Sequence, residues 1–257
     1  MARCGSRKPW TPLELAPVLW LDSTIAASIL NASDATASNG EAIKTWKDQS
    51  GNGYDVVQTL DAADRPTKTA NGVSGDGADD YLTTNGKAYQ ALGGFTANTV
   101  FGVIRINTAV NGEFICDCRG SGVRGMPNLH YSAPTLSLCG QGQLPKVAIN
   151  TGEWFAFCVR HDTNFRGVQV NLGTEATNAT AATLAAANIF NILGNGAVPA
   201  LANPHADLKE LIVVPSNLSS SSVRTKVLEY LINKHSLFSF IVAGGFSLVA
   251  GGYQLTV

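Results

Sequence analysis

Charge is scarce in this sequence: only 14% of its 257 residues are Asp, Glu, Lys or Arg, and they nearly cancel to a net charge of −1. With a pI near 6.4 and its Lys and Arg scattered, the chain has no basic field for nucleic acid or anionic membranes, so no nucleic-acid partner is expected. Methionine is nearly absent, with 2 residues, and aromatics make up 8%. The five cysteines (Cys4, Cys116, Cys118, Cys139, Cys158) are an odd number without framework spacing, which suits buried reduced thiols better than a secreted disulfide scaffold. The basic start through Trp10 is followed by no apolar h-region or small-residue cleavage site, so it does not read as a secretory signal.

What is present is glycine, 26 residues of it, in turn dipeptides that cut the chain into strand-sized pieces. Such signals stand at Ser50 to Gly53, Asn71-Gly72, Asp76-Gly77, Asn85-Gly86, Asn111-Gly112, Gly120 to Gly122, Thr151-Gly152 and Gly194 to Gly196. Regular spacing of this kind predicts a sandwich or barrel. The clearest strands are Val18 to Leu21, Thr99 to Ile106, Glu113 to Cys118, Trp154 to His161, Gly167 to Leu172 and Leu208 to Val214. Thr11 to Leu15 reads as a capped turn with Pro12 at its first position. One helix is expected, capped by Ser219 and stapled by Leu218 and Val223, with Val227, Tyr230 and Leu231 on its apolar face and its end at Lys234 and His235. Thr180 to Asn188 is Ala-rich and fits a helical turn or a loop.

From Leu237 to Val257 there is no charged side chain, and the sequence repeats: Phe238 to Gly245, then Phe246 to Gly252, then Tyr253 to Val257. About 20 uncharged residues meet the length rule for a membrane span. The paired glycines and the dominance of β-formers instead favour a strand-turn-strand element, and no membrane partner is expected. An exposed apolar edge of this kind would aggregate unless covered, which makes Phe240, Phe246, Leu248 and Tyr253 candidate partner-binding residues.

Four separated stretches together carry a family resemblance. They are Leu19 to Asp22; Trp46 to Gly53 followed by Arg65-Pro66-Thr67; Gly75 to Leu82; and Glu210 to Val214 leading through Asn217-Leu218-Ser219 into Glu229-Tyr230-Leu231 and Lys234 to Leu237. In order and spacing they resemble the concanavalin A-like lectin and glucanase superfamily, in particular the laminin-G-like jelly rolls of phage virion and bacterial surface proteins. The resemblance implies an all-β fold, a two-sheet antiparallel jelly-roll sandwich with one C-terminal helix and a short β-rich tail. It divides the chain into an N-terminal arm (1–15), the sandwich (16–237) and the apolar Gly-rich tail (238–257).

The superfamily's glucanases place acids at alternate positions on one strand, so that nucleophile and acid/base face one cleft. No such arrangement occurs here: Asp79 and Asp80 are adjacent, and Glu113, Glu153, Glu175 and Glu210 stand apart, with Glu210 given a structural role. His130, His161, His205 and His235 are isolated, and neither a Gly-x-Ser-x-Gly elbow nor a phosphate loop is present. No catalytic activity and no cofactor are therefore expected. Asp48, Asn52 and Asp55 form the candidate calcium set, with oxygens alternating before Gly53 but Thr59 where a closing Glu belongs. The competing reading is a turn in which Asp48 and Asn52 accept backbone N–H groups. A zinc set of Cys116, Cys118, His130 and Cys139 has a tighter spacing than structural zinc prefers. Trp20, Trp46 and Trp154 sit in apolar strand contexts and read as core rather than as sugar platforms.

The function expected from these observations is a non-enzymatic structural virion protein of a phage-like particle, made in the host cytoplasm and bound to neighbouring virion subunits as a homo- or hetero-oligomer. The alternative is a carbohydrate-binding module of a surface protein that recognises a host surface glycan; a divergent glycoside-active enzyme stands third.

Overall fold

The computed structural model describes residues 10–84, 97–108, 115–116, 135–139, 144–179, 190–194 and 203–237, and the backbone alone of 117, 128–132, 240–242 and 246–248. Its architecture is an antiparallel β-sandwich. The larger sheet has eight strands, seven in the order Ala176–Asn178, Phe165–Val170, Trp154–Asp162, Ala97–Ile106, His205–Val214, Gly72–Asp76 and Thr67–Thr69. The eighth, Leu19–Asp22, also pairs with His205–Val214. Facing it is a six-stranded sheet of short strands: Ile29–Asn31, Ile43–Trp46, Val56–Val57, Leu82–Thr83, Asn191–Ile192 and Cys116–Asp117. A three-stranded sheet, Asn128–Ser132, Thr135–Cys139 and Lys146–Ile149, adds Leu136 and Leu138 to the core.

Alternation along the long strands separates two apolar layers. Ile104, Phe155, Phe157, Val159, Leu208, Leu211 and Val213 point inward and pack with Trp46, Ile43 and Leu82 between the sheets. Phe101, Val103, Ala156, Cys158, Ile212 and Val214 point outward and are covered by the helix Ser221–Lys234 through Val227, Leu228, Leu231 and Ile232. Trp10 and Leu15 pack on this second layer, with the Trp10 ring edge-on to Tyr230 at 5.0 Å.

The helix begins one residue later than predicted. Its N-cap position is Ser220, not Ser219, and Ser220 makes no side-chain capping bond. The buried Arg224 guanidinium holds this end instead, donating to the Leu218 and Ser219 carbonyls at 2.8 and 2.6 Å and to Glu175 at 2.9 Å. Strand Phe165–Val170 also differs from the predicted Gly167 to Leu172, because Asn171 turns into the left-handed region at φ 51° and leaves Leu172 exposed. Thr180 to Asn188 lies outside the described residues.

The tail forms strands rather than a helix: Phe240–Val242 pairs antiparallel with Phe246–Leu248. No helix among the described residues is long and apolar enough to cross a membrane. Of the four proposed partner-binding residues, the structure gives the backbone pairing of Phe240, Phe246 and Leu248, while Tyr253 lies outside the described residues.

Candidate glycan-binding site

Trp154 and Leu237 are half-buried and pack against the helix-covered layer, and the site is built around them. Trp154 opens its strand opposite Arg105, and Arg105 stands opposite Asp207, so three neighbouring strands place these side chains in one row. The Arg105 guanidinium bonds the Asp207 carboxylate and lies 5.1 Å from the centre of the Trp154 ring. Asn107 donates to the same carboxylate at 3.2 Å. Burial works to raise the Asp207 carboxyl, but the hydrogen bonds from Arg105, Ser74 and Asn107 outweigh it and hold the group below its ordinary value.

A second cation reaches the same ring from the face that Asp207 already occupies: Lys209, two residues on, has its ammonium 4.1 Å from the Trp154 ring centre. Register shifts between Leu208 and Glu210, and this β-bulge turns Glu210 to the outward face as well. The bulge fits because Gly72 stands beside it: at φ +136° a side chain there is strained, and a Cβ would collide with the Leu208 carbonyl. Burial, with Arg105 close by, lowers Lys209 from its ordinary pKa against the pull of Asp207.

Trp154 also lines a cleft of about 410 Å³, together with Phe155, Val170, Leu237, Asn150, Glu153 and Asn171. Asn150 donates to Glu153 at 3.0 Å, and the Asn171 amide oxygen accepts from the Ala156 N–H at 2.9 Å. An aromatic ring beside planar amide and carboxylate groups and apolar side chains is an arrangement suited to a saccharide, whose ring faces are apolar and whose hydroxyls need paired donors and acceptors. Sequence reasoning placed Trp154 and Tyr230 in the core, and both are only half-buried. Trp20, Trp46 and Phe101 are buried as expected.

The other candidates resolve differently. Asp48 accepts hydrogen bonds from the Trp20, Ser50 and Tyr54 N–H groups and from the Ser50 hydroxyl, at 2.6 to 3.1 Å. Asp55 accepts from the Asp48 N–H at 2.9 Å. Asn52, read from the sequence as an acceptor of backbone N–H groups, presents its amide as a donor to the Pro17 and Val18 carbonyls. The Asp48 oxygens are thus engaged by protein donors, and the segment closes as a hydrogen-bonded turn. Asp76, Asp79 and Asp80 bring carboxylate oxygens within 4.8 Å of one another, a cluster the sequence reading split by treating Asp79 and Asp80 as opposed neighbours. Burial, with Asp76 beside it, pushes the Asp80 carboxyl up to about 7. Cys116 and Cys139 are buried thiols, the latter donating to the Ser137 carbonyl; Cys118 and the His130 side chain lie outside the described residues.

Glu210 has the structural role expected, in mid-strand rather than at the strand's start. Fully buried, it accepts from Trp20 Nε1 at 2.8 Å, Tyr230 Oη at 3.3 Å and Lys234 Nζ at 2.7 Å, and lies 2.6 Å from His235 Nε2. Lys234 also bridges to Asp22. Burial opposes the Lys234 charge, yet Glu210 and the bonds to Asp22, Glu210 and Tyr230 hold it above its ordinary pKa.

No protein-family model and no curated protein matches this sequence. Solved structures do match in fold. The Trypanosoma rangeli sialidase in complex with sialic acid superposes at a TM-score of 0.57 with 16% identity, over 82% of this chain and 32% of that one. Its covalent intermediate with 2,3-difluorosialic acid gives 0.58, over 88% and 34%. The Botulinum neurotoxin serotype D ligand binding domain in complex with N-acetylneuraminic acid gives 0.54 with 11% identity, over 86% and 53%. The chain thus spans about a third to a half of the structures it matches, and the likeness establishes the fold.

These matches correct two expectations. The structural virion protein of a phage-like particle is withdrawn, because the structures alike in fold are sialidases and a neurotoxin ligand binding domain, and none is a virion component. The expectation that the chain is not an enzyme is withdrawn on the same finding.

Proposed function

We propose that this chain is a carbohydrate-binding β-sandwich that holds a saccharide in the Trp154 cleft. The observation that carries the reading is the half-buried Trp154 itself, facing a cleft of about 410 Å³ between Asn150, Glu153 and Asn171. That volume falls in the range of small-ligand sites and suits one or two sugar rings. Trp154 supplies the apolar face, while the amides and Glu153 supply donors and acceptors for hydroxyls. The two kinds of solved structure described above, each with a sialic-acid ligand, support a glycan as the ligand class.

The test is isothermal titration of the full chain with lactose, sialyllactose and a neutral mannoside, repeated on Trp154→Ala and Trp154→Phe. Saturable binding that Trp154→Ala abolishes and Trp154→Phe partly keeps is the expected result. Equal binding by wild type and both variants, or none to any sugar, overturns the reading.

A further inference from the structure

The sandwich packs its second apolar layer as far as Leu237, and the uncharged repeats follow. Their equivalent positions run aromatic, polar, apolar, β-branched: Phe238-Ser239-Phe240-Ile241, Phe246-Ser247-Leu248-Val249 and Tyr253-Gln254-Leu255-Thr256. The first two repeats pair with each other as antiparallel strands. Phe240 stands opposite Leu248, the same position of the next repeat, so this segment pairs with its own sequence. The register places Phe240, Val242, Phe246 and Leu248 on one face of the hairpin, all apolar, and Ile241 with Ser247 on the other.

The hairpin is incomplete as it stands. Among the described residues neither of its strands joins another sheet, whereas the other described strands lie in sheets of three, six and eight. Two strands alone are marginal in water; about three or more with an apolar face make a stable sheet. Its edges are also unguarded. From Leu237 to Val257 there is no charged side chain and no proline, the residues that keep a strand edge from pairing with another chain. The large sheet shows the contrast, since its outer strand Thr67–Thr69 carries Lys68 and follows Pro66.

We propose that the tail is a homotypic assembly element, in which hairpins from separate copies of this chain add strand to strand, repeat to repeat, into a shared sheet. A second copy is the partner that the pairing itself specifies, because within one chain the complement of a repeat is already another repeat. Two hairpins joined edge to edge pass the number of strands at which a sheet with an apolar face is stable. The same surface on both copies makes the contact isologous. Main-chain hydrogen bonds supply the attraction, and the aligned faces of Phe240, Val242, Phe246 and Leu248 merge into one apolar surface. Self-association of this kind needs no ligand in the Trp154 cleft.

Sedimentation velocity of the full chain over a dilution series, with melting temperatures taken alongside, is the experiment. The wild type should form species heavier than the 26.9 kDa of one chain, and these should dissociate on dilution. Phe240→Asp with Leu248→Asp, and separately Val242→Asp with Phe246→Asp, set like charges directly opposite each other on the apolar face. Each pair should leave only monomer, with the melting temperature of the sandwich unchanged. A wild type that is monomeric at every concentration overturns the proposal, as do heavier species that persist in both variants. Flotation of the wild type with phosphatidylcholine vesicles in place of self-association gives the tail to a bilayer and overturns it likewise.

Discussion

The two halves of the large sheet's outer face are built from the same strands and carry opposite arrangements of charge. Under the helix, Glu210 sits fully buried with partners on both its oxygens, and Lys234 is tied to Glu210, Asp22 and Tyr230. Beyond the helix, Arg105 and Lys209 crowd one tryptophan, and only Arg105 has an acid of its own. Lys209 and Glu210 are consecutive residues, yet one belongs to each half. Partner count, not residue type or depth alone, separates a charge that closes the fold from one that does not.

The largest effect that can break this contrast is on stability. Trp46→Ala removes a fully buried ring between the sheets and is expected to cost about 3–5 kcal/mol, which fixes the scale for core damage. Glu210→Ala strands Lys234 beside Asp22 and leaves Trp20 Nε1 without its acceptor, at a cost of about 3 kcal/mol. Lys209→Gln breaks no hydrogen bond or ion pair among the described residues, only the ammonium's contact with the Trp154 ring, and should change stability by less than about 1 kcal/mol. Urea unfolding of the three variants checks the order; if Lys209→Gln costs as much as Glu210→Ala, the two halves are not different in kind.

A smaller effect sharpens the contrast through pH. His161 is buried in the sandwich, with neither ring nitrogen partnered among the described residues, and burial lowers its pKa to about 4 against the pull of Asp162. Because the folded value lies below the unfolded one of about 6.5, the unfolded chain takes up a proton first as pH falls. Stability is therefore lost from about pH 6.5 down toward pH 4, and His161→Leu should flatten that slope. Melting temperatures of wild type and variant between pH 7 and 4.5 measure it. Parallel slopes would mean that His161 is not the source.

Much of the fold was legible because long strands announce themselves by composition and alternation. Ala97–Ile106, Trp154–Asp162 and His205–Val214 were read nearly to their ends, and Gly51, Gly53, Gly72, Gly77, Gly152 and Gly194 take the positive φ their turn sequences implied. The six-stranded sheet was not, since its strands run only two to four residues and show no period. The site was hidden for a different reason. Trp154 alternates in phase with Ala156 and Cys158, which the helix covers, and nothing in the strand tells where that cover stops. The bulge did leave a trace: core leucines three apart at Leu208 and Leu211 break the two-residue period, and such a break marks it.

The most direct measurement uses the four tryptophan indoles as reporters in a 15N-labelled full chain titrated with methyl α-N-acetylneuraminide. The indole N–H resonance of Trp154 is expected to shift in a saturable way while those of Trp20 and Trp46, buried beneath the helix and between the sheets, stay in place. Saturable shifts confined to any other tryptophan, or a spectrum unchanged at saturating sugar, would contradict a glycan site at Trp154.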